Sequence, residues 1–513
     1  MTFEKLRNGI KPVLDSDYLG IHKIIKSPIP DGRRLVIYEK MIKALREDHE
    51  DYCKDEMGYC KRPETKHVDC GRVLKGDKTY LSEITGPLHR VPLIPDPSLN
   101  MSCAQIHRRV RPKHPMHPLQ LGGVAFARNV FTDYEYIEKQ IQMSYHPENR
   151  YCFAVDENAK MDFFWKMAKL VYCFPNQMVL VPGTVSRQFQ CFGLGDVWQS
   201  VISQPCHFAT MSFCNWTFRN CLKQSLEPLS FDSAGHNQNL AHVKCMEILL
   251  RKFPKWSYLM LLQNHDIITK SVYELDRIFE IMGGANDVMT SKEKPRRRLK
   301  HLKWDPKSLK LFRNESLIPS KILNTPLTIT MGGIEGSLSR AAVDWMINKV
   351  NLTTFLNQQN QTDYAGDEQF ISTFQANSPL QMPGHFTIEC SEKGIPVAAV
   401  TRMAQWSDGD PSKCLSRTSR HGACLFGIED LKPMAELPYL VWNKAYPSFD
   451  WSIIECTAEL LYNRTFLGQM DNKLDEDYYS NLVMVKYHKE HRNPGYKLNC
   501  TSSRKWRSYE EYL

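Results

Sequence analysis

Between residues 122 and 181, short apolar runs alternate with segments of helical periodicity. The apolar runs cover residues 124–127, 151–155 and 178–181, and the helical segments cover residues 133–143 and 160–170. Strands that alternate with helices are typical of an open α/β sheet, in which ligands bind at the carboxyl ends of the strands. Asp156 directly follows the second apolar run and is therefore a candidate ligand contact.

The alternation resumes around residue 240, where the pattern predicts a helix over 240–251 and then a strand over 258–262. Ser271 and Glu274 form a capping box, which predicts that another helix begins there. Its apolar positions repeat at helical spacing, and Gly283 predicts its end. A further apolar helix is predicted through Val343 and Met346. The α/β pattern thus extends well into the second half of the chain.

Two stretches lack this periodicity and set the predicted domain boundaries. Residues 1–118 end in a segment rich in Pro, His and Arg, and we expect them to form an N-terminal stem or wrapping region. Residues 119–513 are the second predicted domain. Within it, residues 184–227 form a cysteine-rich insertion, which is either a disulfide-bearing surface insertion or a stretch that does not fold. Its cysteines are Cys191, Cys206, Cys214 and Cys221.

The composition is that of a soluble globular protein, with 42% hydrophobic and 24% charged residues. Much of the net charge of +9 lies between residues 292 and 310, which we interpret as a solvated basic loop. No aromatic-basic motif of a known nucleic-acid reader accompanies this run. We therefore expect no nucleic-acid partner.

Cysteines and glycosylation sequons indicate the compartment. The chain has 16 Cys without any Cys-x-x-Cys spacing, so a zinc site is not indicated. Scattered cysteines together with Asn-x-Ser/Thr sequons favour an oxidising, secretory compartment. No signal peptide or apolar run of about 18 residues is visible in the sequence. The candidate glycosylation sites are Asn100, Asn215, Asn314, Asn351, Asn360, Asn463 and Asn499.

An acidic pair, Asp367 and Glu368, follows Gly366 and precedes apolar residues at helical spacing. The pattern predicts that Asp367 is the N-cap of a helix and that Glu368 lies in its first turn. The helix dipole favours an ionised carboxylate at that position, and an ionised carboxylate on a rigid element can act as a general base. The alternative is that both residues only cap the helix.

A set of motifs in fixed order gives this pair its context. Taken together, they resemble the core-2/I-branching β-1,6-N-acetylglucosaminyltransferases (glycosyltransferase family 14), which also include the protein xylosyltransferases. The resemblance covers about residues 120–470 apart from the insertion, and segments 125–128, 145–149 and 151–156 look most like nematode members. The motifs are Trp256-Ser257-Tyr258, Gly332-Gly333, Ser337-Leu338-Ser339-Arg340, Asp367-Glu368-Gln369-Phe370, Cys424-Leu425-Phe426-Gly427 and Asn443-Lys444.

The resemblance implies a GT-A-type α/β fold with a mixed, mostly parallel sheet flanked by helices. It also implies roles for individual residues. Glu368 matches the catalytic base, Asp156 the contact on the uracil side of the donor, and Lys444 a cation for the diphosphate. Family spacing places the second cation at His421, whereas a single-residue insertion between Cys414 and Cys424 would place it at Arg420. Trp406 matches an aromatic platform for the acceptor sugar, and the alternative is a core aromatic.

The resemblance further implies a metal-independent enzyme without a cofactor. The Asp-x-Asp pairs of the chain do not follow apolar strands and are interpreted as solvated turns; they are Asp15/Asp17, Asp408/Asp410 and Asp475/Asp477. The family pattern also implies four disulfides. The implied disulfides join Cys152 to Cys245, Cys103 to Cys173, Cys414 to Cys424, and Cys70 to Cys456.

We therefore expect an inverting glycosyltransferase that moves a sugar from a UDP donor to a glycan or glycoprotein acceptor in the Golgi lumen. N-acetylglucosamine in β-1,6 linkage is the first expectation, and xylose or glucose as the transferred sugar is the alternative. A further alternative is a catalytically inactive family member that binds glycans. Members of the family are membrane-anchored, and no anchor is visible in this sequence.

Overall fold

The computed structural model describes residues 58–85, 89–181, 229–292, 299, 301–395, 397, 399–469, 471–501 and 508–513. The predicted insertion at 184–227, with its four cysteines and Asn215, lies outside the described residues, as do Asp15 and Asp17.

A five-stranded sheet in the order β3-β2-β1-β4-β8 forms the centre of the fold. Strand β1 pairs in parallel with β2 and with β4, and β2 pairs in parallel with β3. Strand β8 runs antiparallel to β4 at one edge. The prediction of a mixed, mostly parallel sheet is confirmed. The strands are β1 Val124–Val130, β2 Arg150–Val155, β3 Met178–Leu180, β4 Tyr258–Leu262 and β8 Gly336–Ser339.

Alternate residues of β1 face two separate apolar cores, because successive side chains of a strand point to opposite faces. Phe126 and Val130 belong to one core, and Ala125 and Ala127 belong to the other. Helices cover both faces of the sheet, as expected for strands that are apolar throughout.

The first core packs helices α4 Tyr134–Ser144, α5 Met161–Cys173, α7 Val272–Met282, α13 Leu431–Glu436 and α14 Trp451–Phe466. The second core packs α6 Gln238–Lys252, α9 Arg340–Asn348, α10 Thr353–Gln359 and α11 Phe370–Ala376. The remaining helices are α1 Cys70–Leu74, α2 Lys78–Ile84, α3 Cys103–Val110, α8 Ser320–Asn324, α12 Glu389–Glu392, α15 Glu476–Ser480 and α16 Val483–Glu490.

Helix α7 shows how local sequence sets the ends of an element. Both hydrogen bonds of the predicted capping box are present, between Ser271 and Glu274. The helix ends at Gly283, whose φ of 57° is left-handed and favours glycine. The start and the end predicted for this helix are confirmed.

The described part of the N-terminal region packs against the first core. Val73, Ile106 and Val110 are fully buried there. Disulfides join Cys70 to Cys456 and Cys103 to Cys173, with Cα–Cα distances of 5.4 and 5.2 Å. The described residues of this region are therefore packed against, and covalently joined to, the domain that contains the sheet.

The structure also contains the disulfides Cys152–Cys245 and Cys414–Cys424, so all four pairs implied by the resemblance are present. A fifth disulfide in the described residues joins Cys390 to Cys500 and was not anticipated. It ties the segment after α16 to helix α12, and no motif of the sequence indicates this pairing.

A small sheet in the order β5-β12-β9 lies beyond the carboxyl end of β4. Strand β12 leads directly into Asn443 and Lys444, and β9 begins with Arg402. The strands are β5 Ile267–Ile268, β9 Arg402–Met403 and β12 Val441–Trp442, with the hairpin β10 Ser419–Arg420 and β11 Ala423–Cys424 nearby. A further pair consists of β6 Ser291–Lys292 and β7 Thr330–Met331.

Candidate active site

The acidic pair forms a 3-10 turn before helix α11 and not the first turn of that helix. The turn covers Asp367–Gln369, and Gln369 is the N-cap of α11. The Asp367 side chain does not cap; it lies so close to Gly235 that a Cβ at that glycine would overlap its Oδ1. The prediction that Asp367 is an N-cap is therefore wrong, because Asp367 lies within the 3-10 turn and Gln369 is the N-cap of α11.

The backbone of Glu368 is held from two sides. Its carbonyl oxygen accepts hydrogen bonds from Gly332 N at 2.8 Å and from Ser372 Oγ at 3.0 Å. The first bond joins the turn to the Gly332-Gly333 segment that precedes β8. The half-buried Glu368 side chain is thus carried by a rigid segment, as a general base requires.

Burial and the neighbouring Glu368 carboxylate raise the pKa of Asp367 to about 7, although the positive charge of Arg402 acts in the opposite direction. At pH 6 Asp367 is therefore mainly protonated. Two adjacent carboxyl groups with different environments can take different roles.

The raised pKa predicts that the protein loses stability as pH rises. A carboxyl group with a higher pKa in the folded state stabilises that state fully below its unfolded pKa of about 3.8, and this contribution is lost as pH rises through about 7. Between pH 5 and pH 8, the wild type is expected to lose about 3 kcal/mol of unfolding free energy relative to Asp367→Asn. Urea unfolding of both proteins at the two pH values measures this difference. Asp162 is exposed, so Asp162→Asn is the control, and its unfolding free energy should depend on pH as that of the wild type does. An Asp367→Asn protein with the wild-type pH dependence would contradict the raised pKa of Asp367.

Lys444 follows strand β12 and is partly buried. Its carbonyl oxygen accepts a hydrogen bond from Phe426 N at 3.0 Å. Burial lowers the pKa of Lys444, and the positive charges of Arg402 and Arg420 lower it further. Three cationic side chains therefore lie near one another at this position, which is an arrangement suited to a multiply charged anion.

The neighbouring hairpin places Arg420, and not His421, on a strand. Arg420 pairs with Ala423, and the two residues between them, His421 and Gly422, have φ values of 52° and 81°. Positive φ at both central residues is typical of a two-residue hairpin turn. His421 therefore belongs to the turn, and Arg420 belongs to the strand before it.

An aromatic stack supports Arg420. Its guanidinium carbon lies 5.0 Å from the ring centroid of Tyr446, which in turn stacks on His265 with a centroid distance of 4.0 Å. His265 Nε2 lies 2.9 Å from Asp133 Oδ2. Cation–π contact and stacking thus orient Arg420 toward the segment that carries Lys444.

Asp156 lies at the carboxyl end of β2, as predicted, and is 6% exposed. Its Oδ1 accepts from Asn158 N at 2.6 Å and its Oδ2 accepts from Phe231 N at 3.0 Å. The segment that begins near Phe231 continues to Asn239, whose Nδ2 donates to the carbonyl oxygen of Asp367 at 3.0 Å. Residues 229–239 therefore connect the strand-end carboxylate to the acidic turn.

Trp406 is 49% exposed and lies beside the hairpin that carries Arg420. Ser407 N donates to Gly422 O at 2.8 Å, which fixes the Trp406 segment against the hairpin turn. The alternative of a core aromatic is wrong for Trp406. Its ring atoms lie next to Gly422 of the hairpin turn, where an added Cβ would be 3.6 Å away.

Two charged residues near these groups were missed by the sequence analysis, namely Glu335 and Arg402. Arg402 Nη1 lies 2.8 Å from Glu335 Oε2, and Arg402 Nη2 donates to Asn443 Oδ1 at 3.0 Å. Each residue interrupts an otherwise apolar or small-residue stretch, and this is the one signal that could have indicated them.

The carboxylates of the described residues do not suggest a metal centre. The one group of three metal-ligating side chains found among them is Cys70, Cys456 and Glu459, in which the two cysteines are joined by a disulfide. Asp408 and Asp410 are exposed around a turn, and Asp475 accepts from Tyr478 N as a helix cap.

Several candidate glycosylation sites can be compared by exposure. Asn100, Asn314 and Asn499 are exposed, and Asn351, Asn360 and Asn463 are partly buried. Asn360 Nδ2 donates to Asn237 Oδ1 at 2.7 Å, and Asn360 Oδ1 accepts from Asn237 N at 2.9 Å. A glycan on Asn360 would disrupt this pair of bonds, so the exposed sites are better acceptors.

Among the described helices, none is both long and apolar enough to cross a membrane.

A family model described as "Branch: Core-2/I-Branching enzyme" matches residues 124–188 and 222–435, which is more than half of the chain. The chain belongs to this family. It is a glycosyltransferase, and its mixed α/β sheet flanked by helices is of the GT-A type. The family assignment made from the motifs is confirmed.

Similar proteins carry consistent names. Beta-1,3-galactosyl-O-glycosyl-glycoprotein beta-1,6-N-acetylglucosaminyltransferase 3 of Homo sapiens is 21% identical over 82% of this chain and 89% of its own length. A beta-1,3-galactosyl-O-glycosyl-glycoprotein beta-1,6-N-acetylglucosaminyltransferase of Bos taurus is 23% identical over 78% of this chain and 86% of its own length. A protein of the same name from Bovine herpesvirus 4 (strain V. test) is 22% identical over 82% of this chain and 89% of its own length.

Proposed function

We propose that this glycosyltransferase transfers N-acetylglucosamine from a UDP donor to a primary hydroxyl of a glycan, in β-1,6 linkage and with inversion. One observation carries the proposal: a carboxylate segment and a cationic cluster share one site. Arg402 connects them, since its Nη2 donates to Asn443 Oδ1 at 3.0 Å next to Lys444 and its Nη1 lies 2.8 Å from Glu335. Glu335 follows the Gly332-Gly333 segment, which donates a hydrogen bond to the carbonyl oxygen of Glu368. The names of the similar proteins support the choice of sugar and linkage.

The proposed reaction is an in-line displacement. Glu368 accepts the proton of the acceptor hydroxyl while that oxygen forms a bond to C1 of the donor sugar. The bond from C1 to the diphosphate oxygen breaks on the opposite face, and the electron pair leaves with the diphosphate. Lys444 and Arg420 stabilise the negative charge that develops on the departing UDP. Asp156 is the proposed contact on the uracil side.

We also propose that the reaction needs no metal ion and no other cofactor. Two carboxylates at strand ends of the sheet already accept hydrogen bonds from the protein. Asp156 accepts two backbone N–H groups, and Asp266 accepts from Gln263 N and from Asn443 Nδ2 at 2.6 and 2.7 Å. The fixed cations supply the charge that a divalent ion would otherwise provide.

Trp406 is the proposed platform for an acceptor sugar, since its ring is exposed beside the cationic hairpin. Trp406→Ala is expected to raise KM for the acceptor up to about tenfold and to leave KM for the donor within twofold, because stacking on an aromatic ring contributes about 0.5–1.5 kcal/mol. Initial rates with each substrate varied measure both constants. The exposed Trp165, which lies on helix α5, supplies the matched control Trp165→Ala. An unchanged acceptor KM in Trp406→Ala would contradict the role.

The substrate assignment is tested with the full chain produced in a secretory host. The protein is incubated with a β-1,3-galactosyl O-glycopeptide and, in separate reactions, UDP-N-acetylglucosamine, UDP-xylose and UDP-glucose. NMR of the product is expected to show a β-1,6-linked N-acetylglucosamine. Transfer of xylose or glucose instead would overturn the choice of sugar, and glycan binding without any transfer would identify an inactive family member.

We further propose the Golgi lumen as the site of action and exclude a nucleic-acid partner. The disulfides of the described residues support an oxidising compartment. Glycosidase digestion of the cellular protein is expected to reveal N-glycans, and a protein without them would contradict passage through the secretory pathway.

A further inference from the structure

His265 lies in the turn that follows strand β4, and aromatic side chains surround its ring. The residue is 6% exposed, and its ring stacks on that of Tyr446 with an angle of 24° between the two planes. Phe131 and Tyr136 also lie against the His265 ring, with centroid distances of 5.8 and 6.1 Å. These distances are typical of aromatic contacts, so packing holds the imidazole in one position beside Tyr446.

Asp133 uses its carboxylate on this imidazole and not on its own helix. It occupies the N-cap position of helix α4, where an aspartate ordinarily accepts a backbone N–H of the first turn. Its side chain makes no capping bond, and its φ of 60° is left-handed, which costs free energy in a residue with a side chain. Its Oδ2 instead lies 2.9 Å from His265 Nε2, and the ring donates because a deprotonated carboxylate only accepts. The carboxylate therefore orients the His265 ring while the helix lacks a cap.

The main chain of His265 is bonded to the loop that carries the proposed cation Lys444. The carbonyl oxygen of His265 accepts a hydrogen bond from Ala445 N at 3.0 Å. Ala445 lies between Lys444 and Tyr446 in the sequence. His265 thus holds this loop at two points, through the backbone of Ala445 and through the ring of Tyr446.

Arg420 lies at the other end of this set of contacts. Strand β10 consists of Ser419 and Arg420, and both residues are exposed. Holding an exposed arginine side chain in one conformation costs entropy, because the side chain has many rotamers. The Arg420 guanidinium lies over the Tyr446 ring, with its carbon 5.0 Å from the centroid. A Tyr446 ring that is itself held by His265 gives the guanidinium a fixed surface on which to lie.

We infer that His265, oriented by Asp133, is a positioning residue for Arg420 at the diphosphate of the donor. A cation stabilises a leaving group most when it is in place before negative charge develops. His265 contributes by restricting the Tyr446 ring, and it acts through that ring and not on the substrate. This inference rests on the proposed function and adds a support for one of its two cations.

His265→Ala removes the ring and leaves the backbone carbonyl in place. We expect kcat to fall about threefold to tenfold, because an aromatic contact contributes a factor of this size. The Kd for UDP, measured by calorimetry, is expected to rise by a similar factor. His265→Phe keeps a ring against Tyr446 and loses only the bond to Asp133, so its kcat is expected to stay within about threefold of the wild type.

A double-mutant cycle distinguishes positioning of Arg420 from general damage to the fold. In an Arg420→Ala background there is no guanidinium to position, so His265→Ala is expected to change kcat and the Kd for UDP less than twofold. In a Lys444→Ala background its full effect is expected. Equal effects in the two backgrounds would show that the His265 ring is only structural and would overturn the inference. A folded His265→Ala protein with wild-type kcat and UDP affinity would also overturn it.

His107→Ala is the matched control. The His107 ring contacts Phe174 edge-on with a centroid distance of 4.8 Å, and its Nε2 lies 2.6 Å from the carbonyl oxygen of Cys173. It is thus a histidine with the same two kinds of contact on helix α3. The variant is expected to leave kcat and the Kd for UDP within twofold, alone and in both backgrounds.

Asp133→Ala replaces His265→Ala if that variant does not fold, since the Asp133 side chain is 27% exposed. A loss of about threefold in kcat and in UDP affinity is expected where Arg420 is present, and none where Arg420 is replaced by alanine. A loss of equal size without Arg420 would overturn the inference. A wild type that binds UDP but transfers no sugar would instead contradict the proposed function, and the Kd values for UDP would still test the link between His265 and Arg420.

Discussion

Glu368→Gln is expected to lower kcat by about 10²–10⁴-fold, because a positioned general base contributes a factor of this size. The amide keeps the shape of the side chain but cannot accept the acceptor's proton. The Kd for UDP is expected to stay within twofold, since the diphosphate is held by the cations on the other side of the sugar. Rapid-quench assays of a single turnover separate the chemical step from product release.

Asp367→Asn is the matched control for this prediction. Asp367 is adjacent in sequence and has the same functional group, but it is mainly protonated at pH 6 because burial and Glu368 raise its pKa to about 7. An amide should therefore replace it with less than a threefold change in kcat at pH 6. A large loss in Asp367→Asn together with an active Glu368→Gln would reverse the assignment of the base.

Loss of the diphosphate cations is expected to have the second largest effect. Lys444→Ala and Arg420→Ala should each lower kcat by about 10²–10³-fold, as removal of a preorganised group that stabilises developing charge commonly does. Both should also weaken the binding of UDP. Because Arg420 is exposed and Lys444 is partly buried, the lysine variant is expected to lose more.

His421→Ala distinguishes the two alternatives for the second cation. His421 occupies the hairpin turn, whereas Arg420 lies over Tyr446. The histidine variant should therefore keep kcat and UDP affinity within twofold. An inactive His421→Ala with an active Arg420→Ala would contradict the register inferred from the structure.

Tyr446→Leu is expected to reproduce part of the Arg420→Ala defect, since it removes the ring that orients the guanidinium.

The central sheet could be predicted from the sequence because its strands are short apolar runs buried on both faces. The end of β1 shows where this information stops. The predicted strand ends at Ala127, but β1 continues to Val130 through the buried residues Arg128 and Asn129. Arg128 donates to the carbonyl oxygen of Asp266 and Asn129 to that of Gln238. Their polar groups are satisfied by distant segments, which local patterning cannot reveal.

The candidate site was predictable where a residue belongs to a motif. Asp156 lies at the end of a predicted strand, whereas Glu368 lies in a 3-10 turn before the helix in whose first turn it was predicted. Lys444 was assigned from a motif, and family spacing left Arg420 and His421 as the alternatives for the second cation. The function of Asp367 as a cap was predicted wrongly, because the chain forms a 3-10 turn before helix α11 and Gln369 is the N-cap of that helix. Glu335 and Arg402 were missed because the ion pair between them joins segments that are distant in sequence.

In the proposed mechanism, a carboxylate base and fixed cations perform sugar transfer without a metal ion. The most direct measurement is the transfer rate from UDP-N-acetylglucosamine to a β-1,3-galactosyl O-glycopeptide in excess EDTA, with the wild type and Glu368→Gln side by side. We predict that the wild-type rate in EDTA stays within twofold of the untreated rate and that Glu368→Gln is inactive in both conditions. A wild-type transfer rate that falls to zero in EDTA and recovers with Mn²⁺ would contradict this mechanism, as would a Glu368→Gln protein that retains its activity.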